Sequence, residues 1–231
     1  FLDVSHPERS EVTVHLSKPD EPGTIVPEEL VFAPEAGTAF LRASGSNDIY
    51  AFTLISREPE NSQQNDFVVS INTLAAGTLP ADVGVFVDSG ERKILVANQG
   101  SEDITIIDAY TSQFVNLHVG DPVDRVLLWP QPDPTTAVIF SQGAMRPRVH
   151  FLELADVEAR GGQNLATLDT NGPVQNIELI PGRDQALVLH DDARSVLSVM
   201  DLTERTLSPV TSRGPLGGYV FTPGGDQLVG Y

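Results

Sequence analysis

Five prolines set the register of this chain. Pro27, Pro80, Pro122, Pro173 and Pro215 each open a short apolar stretch: "PEELVFAP", "PADVGVFVD", "PVDRVLLWP", "PVQNIELIP" and "PLGGYVFTP". A turn follows each, and then a second apolar segment: "TAFLRAS", "KILVANQ", "TAVIFSQ", "ALVLHDD" and "DQLVGY". Third segments are "DIYAFTL", "DITIIDA", "RVHFLEL" and "SVLSVMD"; fourth segments are "FVVSINTL", "QFVNLHVG", "NLATLDTNG" and "TLSPVTSRG". All are rich in β-branched and aromatic residues, with Gly, Pro, Asn and Asp between them, so they read as strands. The one helix-compatible stretch, "LELADVEARGG", falls in a long inter-strand turn.

Four short strands per unit of roughly 40 to 50 residues is the spacing of a β-propeller blade. A blade is a small twisted sheet that cannot bury both faces alone, so it must repeat and pack against its neighbours. The predicted fold is therefore all-β, a β-propeller of four-stranded antiparallel blades in a single domain. Full blades are expected over 27–79, 80–121, 122–172 and 173–214. Residues 1–26 would supply strands three and four of another blade, because "FLDV" matches "VMDL" at Val199 to Leu202. Residues 215–231 would supply the first two strands of a blade. Either these ends meet in one composite blade, closing a ring of five without exposed edges, or the chain is part of a longer propeller. An open arc would leave two apolar faces uncovered.

Composition fits one large β domain of 231 residues with ample core, at 40% hydrophobic residues. Lys and Arg number 14 against 32 Asp and Glu, a net charge of −18. Phosphate backbones and anionic lipid surfaces repel such a chain, which argues against nucleic-acid binding. The dispersed acids serve solubility first. Cysteine is absent, which removes disulfides, thiolate metal sites, cysteine nucleophiles and c-type haem attachment together. No apolar run reaches the roughly 18 residues that span a bilayer, and no signal peptide is evident. Phe1 in place of Met suits a mature or excised form.

The stretch "ILVANQGSEDITIIDAYTSQFVNLHVGDPV", Ile94 to Val123, carries a strand, a Gly-Ser turn, a strand ending in Asp108 and a Val-Gly-Asp-Pro junction. It resembles the YVTN family of β-propeller repeats, bacterial relatives of the NHL and WD40 propellers. The likeness extends more weakly from Pro27 to Tyr231. "SGSNDIYAFTL" lacks the terminal Asp, and "SQGAMRPRVHFLEL" puts Glu153 there. The resemblance implies a bacterial extracytoplasmic protein, whether periplasmic, cell-surface or secreted. Related propellers commonly have seven blades, which favours the longer-propeller alternative.

Asp108, Asp201 and Asp3 hold matching places at strand ends. A short carboxylate there accepts N–H bonds from the next turn. Recurrence in several blades favours this structural role, since catalysis needs one site rather than a set. The histidines, His6, His15, His118, His150 and His190, show no HxH, HxxxH or HExxH spacing. His15 and His118 alternate with aliphatic neighbours and should face away from them. His190 in "LHDD" sits where strand two turns into strand three. Trp129, the only Trp, reads as core. No GxSxG, P-loop, Rossmann or EF-hand pattern occurs.

One series does suggest a site. Two residues past the register prolines stand Glu29, Asp82, Asp124, Gln175 and Gly217. First strands line a propeller's central channel, so these residues would ring its mouth with acids on three consecutive blades. A solvated rim is the plain reading; a ring that holds a divalent cation or meets a basic partner is the functional one. No catalytic residue or obligatory cofactor is assigned. The expected function is a non-catalytic scaffold for a protein or ligand, with partner contact through the loops at 56–66 and 154–164. The alternative is a lactonase-like hydrolase or redox-associated propeller enzyme, with a metal at the channel mouth near Asp82 and Asp124.

Overall fold

The structure, a computed structural model, describes residues 9, 11–16, 25–33, 37–58, 66–191, 197–210 and 218–230. Asp3, His6, Pro215, Gly217 and most of the 56–66 loop lie outside these residues.

Four antiparallel four-stranded sheets follow one another along the chain, each built from consecutive strands. The first holds β1 (Val26–Ala33), β2 (Thr38–Ser44), β3 (Asp48–Ser56) and β4 (Phe67–Ala75). The second holds β5 (Pro80–Asp88), β6 (Glu91–Asn98), β7 (Asp103–Asp108) and β8 (Phe114–His118). The third holds β9 (Arg125–Trp129), β10 (Thr136–Phe140), β11 (Arg148–Glu153) and β12 (Leu165–Asp169). The fourth holds β13 (Val174–Leu179), β14 (Gln185–His190), β15 (Leu197–Asp201) and β16 (Thr206–Val210). A fifth, two-stranded sheet pairs β17 (Tyr219–Phe221) with β18 (Leu228–Gly230). The helix-compatible stretch forms one short helix, α1 (Val157–Arg160), continued by a 3₁₀ turn over Gly161–Asn164.

The apolar cores lie between sheets, as a stack of two-faced sheets requires. Phe40, Ile49, Ala51 and Leu74 of the first sheet meet Val83, Ile94, Val96 and Ile107 of the second. On the other face of the second sheet, Phe86, Leu95, Ile104 and Ile106 meet Ala137, Ile139 and Leu152 of the third. Val138, Val149 and Phe151 then meet Ile177, Val188 and Met200 of the fourth, with Trp129 packed partly buried against them. Strand alternation delivers both faces: Ile94 and Val96 point one way, Leu95 and Ala97 the other, and all four are fully buried. The far face of the first sheet packs Leu41, Tyr50 and Phe52 against Val14 and Leu16.

First strands run beside first strands, with β5 touching both β1 and β9. Gly84 makes the second of these contacts possible: a Cβ there would stand 3.0 Å from Leu128 Cδ1. This places the ends of β1, β5 and β9, where the sequence put its ring, at one rim.

Candidate functional site: the rim at the first-strand entries

The first strands are not plain ladders. Pairing skips one residue between Pro27 and Glu29 in β1, between Pro80 and Asp82 in β5, and between Val174 and Asn176 in β13. Such a bulge re-aims the side chains around it. Glu29 pairs with Arg42, Asp82 with Ala97, and Asn176 with Leu189. Gln175 is therefore the skipped residue of its strand, in the place that Glu28 and Ala81 hold in theirs. Asp124 stands one residue before β9, and its N–H donates to the Phe140 carbonyl at 3.1 Å.

Glu29 and Asp82 come close enough to sense each other's charge. Glu29 Oε2 accepts from Arg42 Nε at 3.1 Å, and Glu28 binds the same guanidinium. Asp82 is held by backbone: Oδ1 accepts from its neighbour Val83 N–H at 2.9 Å, and Oδ2 from Val126 N–H of β9 at 2.7 Å. Burial pushes the Asp82 carboxyl up to about 6, the Glu29 charge adds to the rise, and the two N–H donors and Arg125 work against it. Asp124 Oδ1 accepts from Gln142 N–H at 2.9 Å. The Gln142 side chain in turn takes a bond from Arg125 at 3.0 Å and gives one to the Gln175 carbonyl at 3.0 Å. Gln175 thus joins the rim through its backbone, with its side chain exposed.

Around these residues lies a shallow cleft of about 370 Å³, lined by Glu28, Arg42, Pro80, Asp124 and Arg125 among others. Two arginines alternate with its acids, so the rim is a mixed lattice of charge rather than a bare anionic ring. The sequence series could not show this, because Arg42 enters from a second strand. A metal demands several free donors in one place. Both Asp82 oxygens already accept N–H bonds, and among the described residues no three His, Asp or Glu side chains gather as a metal site.

The strand-end carboxylates act as the sequence suggested. Asp108 Oδ1 accepts from the N–H groups of Tyr110 and Thr111 at 2.9 and 2.6 Å, and Asp201 Oδ1 from those of Thr203 and Glu204 at 3.1 and 2.8 Å. Glu153 in the third sheet instead pairs with Arg205 of the fourth. His15 and His118 are exposed. His190 is buried, bonding the Gly172 carbonyl at 3.1 Å and Ser198 Oγ at 2.9 Å. His150 is buried too, with Nδ1 3.0 Å from Thr167 Oγ1 and Nε2 3.6 Å from Asp121; burial holds its pKa below the usual value. The loop at 154–164 is partly a packing element: Leu154 and Val157 are buried in the core between the second and third sheets. Ala155, Asp156, Ala159 and Arg160 remain exposed on its outer side.

No protein-family model matches this chain, and neither does any curated protein sequence. Solved structures do resemble it. The dihydro-heme d1 dehydrogenase NirN, solved in complex with DHE, superposes with a TM-score of 0.59 at 12% identity, over 88% of this chain and 42% of that one. A 6-phosphogluconolactonase-like protein of Bacteroides fragilis gives 0.56 at 13% identity, over 84% and 56%. BBS1N, solved in complex with ARL6DN, gives 0.53 at 14% identity, over 87% and 60%. The chain thus spans about half the length of the structures it matches. At these identities the likeness establishes the fold, a β-propeller, and nothing finer. The neighbours include enzymes as well as a propeller held in a protein complex. No helix among the described residues is long and apolar enough to cross a membrane.

Proposed function

We propose that the chain is a non-catalytic β-propeller platform that holds a protein partner, outside the cytoplasm of a bacterium. The state of the rim carboxylates carries this reading. Glu29 is engaged by Arg42, Asp82 by two backbone N–H groups and Asp124 by the Gln142 N–H. What the rim offers is a shaped, charged surface, the property that a scaffold uses. The extracytoplasmic setting, and a YVTN type for the repeats, rest on the resemblance of Ile94 to Val123. Contact is assigned to the loops at 56–66 and 154–164, the latter through its exposed outer side.

A cross-linked pull-down with the full chain tests this. The wild-type chain is expected to recover a defined partner, and a double variant, Ala155→Arg with Ala159→Arg, to lose it while keeping its melting temperature. Equal recovery by both would remove the assignment to this loop; no specific recovery by either would remove the platform itself.

A metal-assisted hydrolase of the lactonase-like kind is the second reading, favoured by one observation. Asp82, with its carboxyl pushed up to about 6 beside Glu29, has the poise of an acid–base group. Thermal-shift titration with calcium and zinc separates the two readings. A metal-dependent rise in melting temperature that Asp82→Asn abolishes would favour the hydrolase; no rise retires it.

A further inference from the structure

The sheets repeat, so a contact made inside the chain shows which places on its outermost sheets can meet. The turn after the first strand aligns the fourth sheet with the fifth: Ile180 N–H donates to the Gln185 carbonyl as Thr222 N–H does to that of Gln227. Glu178 and Leu187, paired across β13 and β14, therefore hold the places of Val220 and Val229, paired across β17 and β18. The first pair faces the fifth sheet. Glu178 accepts from the Tyr219 hydroxyl at 2.6 Å, and Leu187 beside it is buried. Val220 and Val229, at the same places one sheet on, are 58% and 52% exposed.

The first sheet shows the other half of such a contact. Its bulge aligns β1 with β5, so Leu30 and Phe32 hold the places of Val83 and Val85. Val83 is 7% exposed, in the core shared with the first sheet, and Val85 packs against that core. Leu30 and Phe32 are 44% and 65% exposed. Elsewhere on that face Val14 and Leu16 pack against Leu41, Tyr50 and Phe52; Leu30 and Phe32 have no such cover among the described residues. The same alignment, carried through the bulge in β13, gives Tyr219 and Phe221 the places of Leu30 and Phe32.

One chain thus carries both halves of a single contact, on the outermost sheets of its row. We propose that a second copy of this chain joins them, the Val220 and Val229 face of one copy lying on Leu30 and Phe32 of the next. The meeting of Glu178 with Tyr219 is the internal version of that contact. There a polar bond joins the two sheets; between copies all four side chains are apolar, and their removal from water drives the association. The two halves differ, so the contact is head-to-tail, and each copy keeps one half free for another. The contact lies apart from the 154–164 loop, and the platform reading stands or falls without it.

Sedimentation velocity of the full chain at rising concentration tests this. The wild-type chain is expected to grow past the mass of one copy. Phe32→Glu and Val220→Glu should each hold it at one copy, and circular dichroism confirms that both variants are folded. Leu30→Glu and Val229→Glu serve as a second pair if either of the first melts early. An equimolar mixture of Phe32→Glu and Val220→Glu chains should form a dimer and nothing larger. In it the intact Val220 face of the one meets the intact Phe32 face of the other. A wild-type chain that stays at one copy overturns the proposal. So does growth that either variant leaves unchanged, or a mixture that yields anything but a dimer.

Discussion

Asp108 in the second sheet and Asp201 in the fourth hold the same register place, and both cap the turn that follows with two backbone N–H bonds. Across the ladder the two differ. Asp108 pairs with Lys93, Asp201 with Gln185. Lys93 is almost wholly buried, with its ammonium 2.8 Å from Asp108, 3.0 Å from Glu91 and 3.1 Å from Glu158. Burial works against its charge, yet the three carboxylates hold its pKa above the ordinary value. The repeat therefore fixes the cap, and the residue on the neighbouring strand decides whether that place becomes a buried charge cluster. α1 completes the cluster, so the insertion and the lysine belong to one device.

Loss of the cation should have the largest effect. Lys93→Met leaves Asp108 buried without its partner and is expected to cost about 3–5 kcal/mol. Gln185→Met, at the matching place, should stay within about 0.5 kcal/mol, as surface substitutions do. Urea unfolding of both variants checks this; equal losses would mean that the register place, not the ion pair, sets the stability.

The polar layer next to the rim gives a second contrast. Asn98 donates to Asp103 and Thr105 at 2.8 Å each and accepts from Gly77 N–H at 3.2 Å. A side chain on Gly77 would run into the Asn98 amide, so that linker glycine and this asparagine are mutually required. In the fourth sheet the matching place, opposite the start of β13, holds His190, bonded to Ser198 and the Gly172 carbonyl. Different side chains thus join the linker to the third strand. Asn98→Ala leaves several buried groups unpaired and should cost about 2–3 kcal/mol, and His190→Asn less than half as much. Thermal denaturation reads both; a His190→Asn loss as large as that of Asn98→Ala would show that the two places are not interchangeable frames.

These residues also show how far the sequence could be read. Strand alternation, turn residues and the strand-end Asp are local signals, so the four sheets and the Asp108 and Asp201 caps were visible in it. The rim was less so. Counting two residues from a proline lands on paired residues at Glu29 and Asp82 but on the skipped residue at Gln175, because a bulge adds one residue without any composition of its own. Arg42 and Lys93 reach Glu29 and Asp108 from neighbouring strands, Gln142 reaches Asp124 from the turn after β10, and nothing local announces such pairs. The helix-forming tendency of "LADVEAR" was legible; that it fills the gap between the second and third sheets is a property of packing.

Asp82 gives the rim a dependence on pH. Its matching residue in the fourth sheet is the neutral Asn176. Asp82 is pushed up from an ordinary 3.8 to about 6, so the folded chain binds this proton more tightly than the unfolded one. Its contribution to stability is then lost as pH rises from about 4 to about 6, and stays lost above that. Asp108 has the opposite sign. Its pKa is lowered, because Lys93 and the turn N–H groups outweigh burial, so its contribution is present above the ordinary carboxylate range and lost as acid protonates it. Asp82→Asn should flatten the stability of the chain between pH 4 and 6, since the amide does not titrate, while its NH2 leaves one of the Val83 and Val126 N–H groups without an acceptor. Unchanged urea midpoints at the two pH values would refute the Asp82 assignment.

The smallest effect isolates the cap itself. Asp201→Ala removes the acceptor of two turn N–H groups that water can reach, since Thr203 and Glu204 are exposed. The loss should be about 1 kcal/mol, the usual size for a side chain that caps backbone donors, or about 2–4 °C in melting temperature for a chain of this size. Asp201→Asn keeps an acceptor oxygen and should recover most of it. At Asp108 the same pair of substitutions behaves otherwise: the amide restores the cap but leaves the Lys93 ammonium short of a carboxylate, so Asp108→Asn should recover only a minor part of the Asp108→Ala loss. That unequal rescue separates capping from charge pairing at one register place, and equal rescue at both would erase the distinction between the two sheets.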